Sequence, residues 1–216
     1  MKDERSHIHA PRREYLSPPL RREDLHPDPV EQFLGWMSDA QAADVPEPNA
    51  MVLATADPAG YPEARVVLLK GCSRDGFVFF TNYASRKGET LSRNPRGALV
   101  FYWRELNRQV RVEGTVVRVE QEVSEKYFAS RPRGAQLGAV VSMQSRSVAS
   151  REVLERKLDE AVDRFQNREV EMPAEWGGYR VVPTAMEFWQ GRPDRLHDRF
   201  RYTLEGGRWK IERLYP

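Results

Sequence analysis

Ala64-Arg65-Val66-Val67-Leu68-Leu69-Lys70-Gly71-Cys72-Ser73-Arg74-Asp75-Gly76-Phe77-Val78-Phe79-Phe80-Thr81 is the stretch that decides the fold. Two apolar runs, 64–70 and 77–81, flank the turn residues Ser73-Arg74-Asp75-Gly76. Both runs are rich in β-branched and aromatic residues, and the connection is too short for a crossover helix, so they read as antiparallel neighbours. Upstream, Ala50 to Ala56 is a further apolar run, closed by Asp57-Pro58-Ala59-Gly60. Downstream, strands are expected over 98–103 and over 110–119, the latter with Gly114 as a plausible bulge. The tail adds 179–182, 186–189, 199–204 and 209–214, the last two joined through Glu205-Gly206-Gly207.

Helical signals sit between these runs. Asp28-Pro29 supplies an N-cap and a first-turn proline, with Val30, Phe33, Leu34 and Met37 at helical spacing behind them. Ser85 is placed to cap a short helix to Arg93, and 121–130 reads helical up to Pro132. The strongest periodicity is 150–166, where Val153, Leu154, Leu158, Ala161, Val162 and Phe165 share a face. About eight strands and four helices result. Strands and long helices do not alternate, so a doubly wound parallel sheet is excluded in favour of a closed or nearly closed antiparallel barrel with helices outside.

Composition bounds the function. The chain has 216 residues with 34 basic and 32 acidic side chains, a net charge of +2. At about 150 residues per domain this is one large domain or two small ones. An apolar fraction of 40% excludes a disordered chain, and no run approaches the ~18 apolar residues of a membrane span. Residues 1–27 are polar, proline-rich and mixed in charge, which reads as a flexible arm rather than a secretory signal, leaving 28–216 as one domain. The lone Cys72 excludes an internal disulfide framework and is compatible with a reducing cytoplasm. Arg outnumbers Lys 28 to 6, a bias that a GC-rich genome alone would produce. No block of like charge suggests nucleic acid. The dinucleotide glycine fingerprint, the P-loop and the Gly-x-Ser-x-Gly elbow are all missing. His7 and His9 lack a third ligand, so no metal is expected.

Four cationic clusters remain. Arg65 and Lys70 are five apart and point to opposite faces of one strand, so each can serve a different anion. Ser85-Arg86-Lys87 stands at a helix N-terminus, where free N–H groups and the dipole attract anions. Tyr127 and Arg131, four apart on a helix, can grip a phosphate together. Arg195, His197 and Arg199 alternate along an extended segment close to Trp189 and suit a flat anionic ligand. Each cluster also has a bland reading, as solvated strand ends, exposed first-turn cations, a guanidinium against a helix C-terminus and a wet strand edge.

In family order, the chain carries Arg12-Arg13-Glu14-Tyr15, Ser85-Arg86-Lys87, Arg131-Pro132-Arg133, Gln144-Ser145, Glu187-Phe188-Trp189-Gln190-Gly191, Arg195-Leu196-His197 and Arg213-Leu214-Tyr215-Pro216. On these motifs it resembles the pyridoxine/pyridoxamine 5′-phosphate oxidases from about residue 12 to its end. The resemblance implies an FMN-binding split β-barrel and a homodimer with FMN at the interface. It also implies oxidation of pyridoxine or pyridoxamine 5′-phosphate to pyridoxal 5′-phosphate by O2, with hydrogen peroxide released and ammonia from the amine.

By the same resemblance the strand 65–70 (Arg65, Val66, Val67, Leu68, Leu69, Lys70) lies along the flavin. Arg65, Arg86 and Lys87 hold its phosphate. Phe80, Thr81, Gln109, Gln144, Ser145, Trp189 and Arg199 complete that site. Lys70, Tyr127 and Arg131 take the substrate phosphate. Arg195, Leu196 and His197 lie over the substrate ring, with Arg195 and His197 as the catalytic pair, and Arg12 and Tyr15 belong to a closing arm. Two departures stand out. Ala135 replaces a serine common in the family, and Glu47 stands where some members carry Asp. Rival readings are another split-barrel flavoprotein (a flavin or deazaflavin-dependent reductase, or a phenazine-pathway oxidase), a non-catalytic FMN or pyridoxal-phosphate binder, and a nucleic-acid-binding barrel.

Overall fold

The computed structural model describes residues 14–216. The helix α1 (Pro29–Ala42) starts where expected, with Asp28 Oδ1 accepting from the Val30 N–H at 2.8 Å. Then come β1 (Ala50–Ala56), β2 (Pro62–Leu68), the short β3 (Gly71–Ser73), β4 (Gly76–Asn82), α2 (Arg86–Arg93), β5 (Arg96–Trp103) and β6 (Arg108–Arg118). The helices α3 (Gln121–Ser130), α4 (Arg133–Val141) and α5 (Arg151–Arg164) precede β7 (Trp176–Gln190), β8 (Asp198–Glu205) and β9 (Arg208–Leu214). Among the described residues there are thus five helices of eight residues or more, not four. The extra one, α4, has two glycines and buries only Leu137, so its apolar pattern is faint.

The nine strands of the described residues form one antiparallel sheet in the order β2-β1-β5-β6-β7-β4-β3, with β8 added to β7 and β9 to β8. The two runs 179–182 and 186–189 belong to a single strand. β7 is continuous because β6 pairs with it on both sides of a bulge at Pro183 and Thr184. Proline cannot donate to a ladder, so an interior proline belongs at such an irregularity. Opposite it stands Gly114, where an added Cβ would lie 2.0 Å from the Val182 carbonyl oxygen. The bulge is also a branch point. β4 pairs with residues 176–181 and β8 with residues 185–190, so the sheet curls around the core instead of lying flat.

α1 closes one end of this half-barrel. Phe33 meets Phe77 and Phe101 at ring-centroid distances of 4.9 and 4.8 Å, and Trp36 meets Phe188 edge-on at 5.2 Å. Aromatic pairs in this geometry contribute beyond their buried area. A second apolar cluster joins α3, α4 and α5 to the start of β7 through Phe128, Leu137, Ala161, Phe165 and Trp176. The periodic face of α5 is only partly used. Ala161 and Phe165 are buried, while Leu154, Leu158 and Val162 stay 36–46% exposed. Residues 14–27, expected as part of an arm, lie against the barrel. Leu20 and Leu25 enter the main core, and the Leu20 N–H donates to Asp198 Oδ2.

Candidate functional site

β2, β4, α2, α3, α4 and the turn after α4 enclose a cleft of about 840 Å³. Its first corner is the N-terminus of α2. Ser85 caps this helix by accepting from the Gly88 N–H, which leaves Arg86 and Lys87 in the first turn. Lys87 is buried, and its Nζ donates to Gln144 Oε1 at 2.9 Å, Thr81 Oγ1 at 3.1 Å and Ser85 Oγ at 3.3 Å. All three are neutral oxygens. Burial, then the nearby Arg65 guanidinium, pulls the Lys87 ammonium down to about 8. Such a cation gains most from an arriving anion.

Arg65 stands on β2 opposite Leu53 of β1. It donates to Thr55 Oγ1 at 2.7 Å and the Leu53 carbonyl at 3.3 Å, and pairs with Glu63 at 2.8 Å. Glu63 also pairs with Arg86. Desolvation lowers the Arg65 pKa, partly offset by Glu63.

The second corner is aromatic and cationic. Phe80 of β4 stacks on Tyr127 of α3 at 4.0 Å and on Trp176 at 5.4 Å. The Arg131 guanidinium lies 4.9 Å from the Trp176 ring centre. Arg131 Nη1 is buried and has no hydrogen-bond partner among the described residues. A buried donor of a charged group without a partner costs stability, which marks it as awaiting an acceptor. Val66 and Leu68 add apolar lining, with Val66 67% exposed. Lys70 lines the same cleft as Arg65, beyond the end of β2. A planar ring carrying a phosphate fits these surroundings: apolar lining, stacked aromatics, and cations at two corners.

Of the residues named from sequence, Arg65, Val66, Val67, Leu68, Lys70, Phe80, Thr81, Arg86, Lys87, Tyr127, Arg131, Gln144 and Ser145 line this cleft. Leu69 does not: its side chain is packed in the core. Ala135 lines the cleft, whereas Glu47 is exposed in a left-handed backbone conformation outside it. Glu63, Asn82, Ser142 and Trp176 are cleft residues that sequence reading missed. Period-two alternation from Arg65 would have found Glu63; no local signal marks Trp176.

A second group lies elsewhere on the chain. Gln109, Trp189 and Arg199 are register partners across β6, β7 and β8, so they form one row on one face. Beside them on the same face Glu187 accepts from Arg199 at 2.8 Å. Trp189 and His197 lie 4.7 Å apart, and Tyr15 meets both edge-on at 5.7 and 5.4 Å. His197 Nδ1 accepts from the Arg192 N–H at 3.1 Å, and burial, then Arg195, lowers its pKa. The neutral ring therefore carries its proton on Nε2. Arg195 follows Asp194 in left-handed backbone (φ 62° and 55°), and Leu196 is exposed. Arg12, His7 and His9 lie outside the described residues. Cys72 is half-buried, and burial pushes its thiol up to about 12, which removes it as a nucleophile. Among the described residues no three His, Cys, Asp or Glu side chains gather to hold a metal, and no helix is long and apolar enough to cross a membrane.

Comparison with known proteins places this architecture. Residues 37–164 match the family profile described as pyridoxamine 5′-phosphate oxidase. Residues 176–216 match the pyridoxine 5′-phosphate oxidase C-terminal dimerisation region. The pyridoxine/pyridoxamine 5′-phosphate oxidase of Rubrobacter xylanophilus is 56% identical, over 95% of this chain and 94% of that protein. That of Cupriavidus necator is 54% identical, over 95% and 97%. Among solved structures, PhzG of Burkholderia lata, in complex with tetrahydrophenazine-1-carboxylic acid, superposes with a TM-score of 0.87 at 31% identity, covering 93% of this chain and 99% of that one. A pyridoxamine 5′-phosphate oxidase-related, FMN-binding protein of Nostoc punctiforme shares the fold alone, with a TM-score of 0.69 at 17% identity over 84% and 96% of the two chains. Matching profiles across both halves, and identity above one half along nearly the full length, agree with a cleft built for a phosphorylated ring: the chain belongs to the pyridoxine/pyridoxamine 5′-phosphate oxidase family.

Proposed function

We propose that this protein oxidises pyridoxine 5′-phosphate and pyridoxamine 5′-phosphate to pyridoxal 5′-phosphate, using FMN and O2, as a homodimer. Hydrogen peroxide is released, with ammonia from the amine, in the making and salvage of vitamin B6 cofactor. The observation that carries the reading is that two sets of anion-binding side chains, Arg65/Arg86/Lys87 and Lys70/Tyr127/Arg131, line one cleft together with the apolar Val66 and Leu68. One flat phosphorylated ligand would need one corner; a cofactor and a substrate use both.

Arg65, Arg86 and Lys87 would hold the FMN phosphate, with Phe80, Thr81, Gln144, Ser145 and the strand 65–70 beside the ring. FMN, when bound, supplies the hydride acceptor and the reactivity with O2. The protein supplies placement. Lys70, Tyr127 and Arg131 fix the substrate phosphate, and the buried Arg131 Nη1 gains the acceptor it lacks. The row Gln109, Trp189 and Arg199 lies in a separate place on the same chain. In a dimer, this face of one subunit completes the cleft of the other, a reading supported by the dimerisation region matched over the same tail. Arg195 and His197 then cover the substrate ring, Arg195 as the cation that positions it and stabilises developing charge, His197 as a neutral Nε2–H donor. Tyr15, edge-on to Trp189 and His197, helps to close this site, a role proposed also for Arg12, and residues 14–27 are packed on the barrel as part of its domain. A reducing cytoplasm suits a chain whose single cysteine has no disulfide partner.

The test is direct. Purified protein should carry a yellow flavin, and pyridoxine 5′-phosphate under air should yield pyridoxal 5′-phosphate and peroxide in equal amounts. A flavin-bound protein that forms neither product is a binder, not an oxidase. A colourless protein that refuses added FMN rejects the reading outright.

A further inference from the structure

Among the described residues that line the cleft, five are cations and Glu63 is the one carboxylate. It is not free. Its Oε2 lies 2.8 Å from Arg65 Nη2, and its Oε1 pairs with Arg86. The two guanidiniums assigned above to the cofactor phosphate are therefore already bridged by an internal anion. Glu63 is also fixed in place: it stands on β2 opposite Thr55 of β1, two residues from Arg65 on the same face, and is only 21% exposed.

We propose that Glu63 is a built-in counter-anion that sets the affinity of the cofactor site for the phosphate group. The inference rests on the assignment of Arg65, Arg86 and Lys87 to the FMN phosphate. Glu63, Arg65, Arg86 and Lys87 together carry two net positive charges, which balance a phosphate dianion; without Glu63 they carry three. A phosphate entering between Arg65 and Arg86 must share them with a like-charged neighbour, and like charges in a partly desolvated site repel strongly. Placement of Arg65 does not depend on Glu63, because Thr55 Oγ1 and the Leu53 carbonyl hold the same guanidinium from the other strand. Removing the carboxylate thus removes repulsion while leaving the fork in position.

The experiment is a titration of the full-length chain, freed of flavin, with FMN and separately with riboflavin, which lacks the phosphate. Quenching of flavin fluorescence reads the Kd. Glu63→Gln should tighten FMN at least fivefold and leave riboflavin within twofold. Glu63→Ser, which removes the charge and the reach together, should move FMN in the same direction. An FMN Kd that is unchanged or weakened in both variants, with wild-type protein still preferring FMN to riboflavin, overturns the role of Glu63 alone. A wild-type protein that binds FMN no better than riboflavin removes the phosphate site itself, and the proposal with it.

Discussion

Lys87 Nζ is buried 2.9 Å from Gln144 Oε1, so α2 and the turn after α4 meet at an ammonium whose hydrogen-bond partners are all uncharged. The consequence is a pH dependence of cofactor binding. Burial places the ammonium at about 8 in the flavin-free protein, and a bound phosphate raises it. Below 8 the amine is charged and binding is at full strength. Above 8 a proton must be taken up on binding, so FMN affinity should fall by roughly tenfold per pH unit until the bound-state value is reached. Riboflavin should show no such fall. Titrations at pH 7, 8, 9 and 9.5 test this, and parallel curves for the two flavins would remove Lys87 from the phosphate site.

The same shift predicts the stability of the flavin-free protein. The folded value lies below that of an unfolded lysine, so the unfolded chain binds more protons between about 8 and 10.5. The Lys87 contribution is a penalty, present in full below 8 and relieved as pH rises through that window. Removal of the side chain's charge by Lys87→Met should accordingly raise the melting temperature of flavin-free protein at pH 7 while weakening FMN. A lowered melting temperature would show that its three hydrogen bonds outweigh its burial.

Arg131 gives a prediction on substrate. Its unpartnered Nη1 and its place over Trp176 make it a pre-formed donor for a phosphate. A hydrogen bond to a charged group is worth about 1.5–3 kcal/mol. Arg131→Ala should therefore raise KM for pyridoxine 5′-phosphate by about tenfold or more, with a smaller effect on kcat. Steady-state kinetics separate the two; a pure kcat loss would count against phosphate gripping. Ala135 lines the same cleft and offers no hydroxyl. Ala135→Ser should lower KM, by a factor that corresponds to about 1 kcal/mol.

Arg195 is held in left-handed backbone after Asp194, a conformation that costs energy in non-glycine residues and collects at functional loops. Arg195→Ala should lower kcat/KM at least about tenfold, or 1.4 kcal/mol, with FMN still bound. Absorbance of the bound flavin and the rate measured on the same sample give both numbers. An unchanged rate would refute its role over the substrate ring.

Much of this fold is written locally. α1 and β1 are legible because a cap, a turn or a proline marks each end, and α3 because Pro132 closes it. What local signals miss is set by distant pairing. Pro183-Thr184 looks like a break between strands until β6 is known to run past both sides of it. The apolar stripe of α5 suggests a buried helix, yet among the described residues only its Ala161 and Phe165 edge finds a partner. Site residues on marked motifs (Arg65, Arg86, Lys87, Tyr127, Arg131) were readable as cations near anion-attracting geometry. That Glu63 bridges Arg65 and Arg86 follows from the first turn of α2 meeting β2, and that Phe80, Tyr127 and Trp176 stack into one wall follows from β4 pairing with the start of β7.

Glu187 offers the last test, because it links fold to site. It is 7% exposed, accepts from Arg199 Nε and Nη2 at 2.8 Å, and lies 3.6 Å from Arg111. Arg199 also donates to the Tyr215 carbonyl, so the carboxylate fixes a guanidinium that in turn holds the chain end. Losing one member of a buried pair costs about 3–5 kcal/mol. Arg111 and Arg199 are partly exposed, so solvent screens their loss of a partner and about 1–3 kcal/mol is expected for Glu187→Gln. Denaturant unfolding of the flavin-free protein measures that. FMN affinity should fall as well, because Arg199 in the row with Gln109 and Trp189 would no longer be held in place. A variant that is destabilised but binds FMN as wild type would show that Glu187 supports the β6–β7–β8 face without positioning Arg199 for the cofactor.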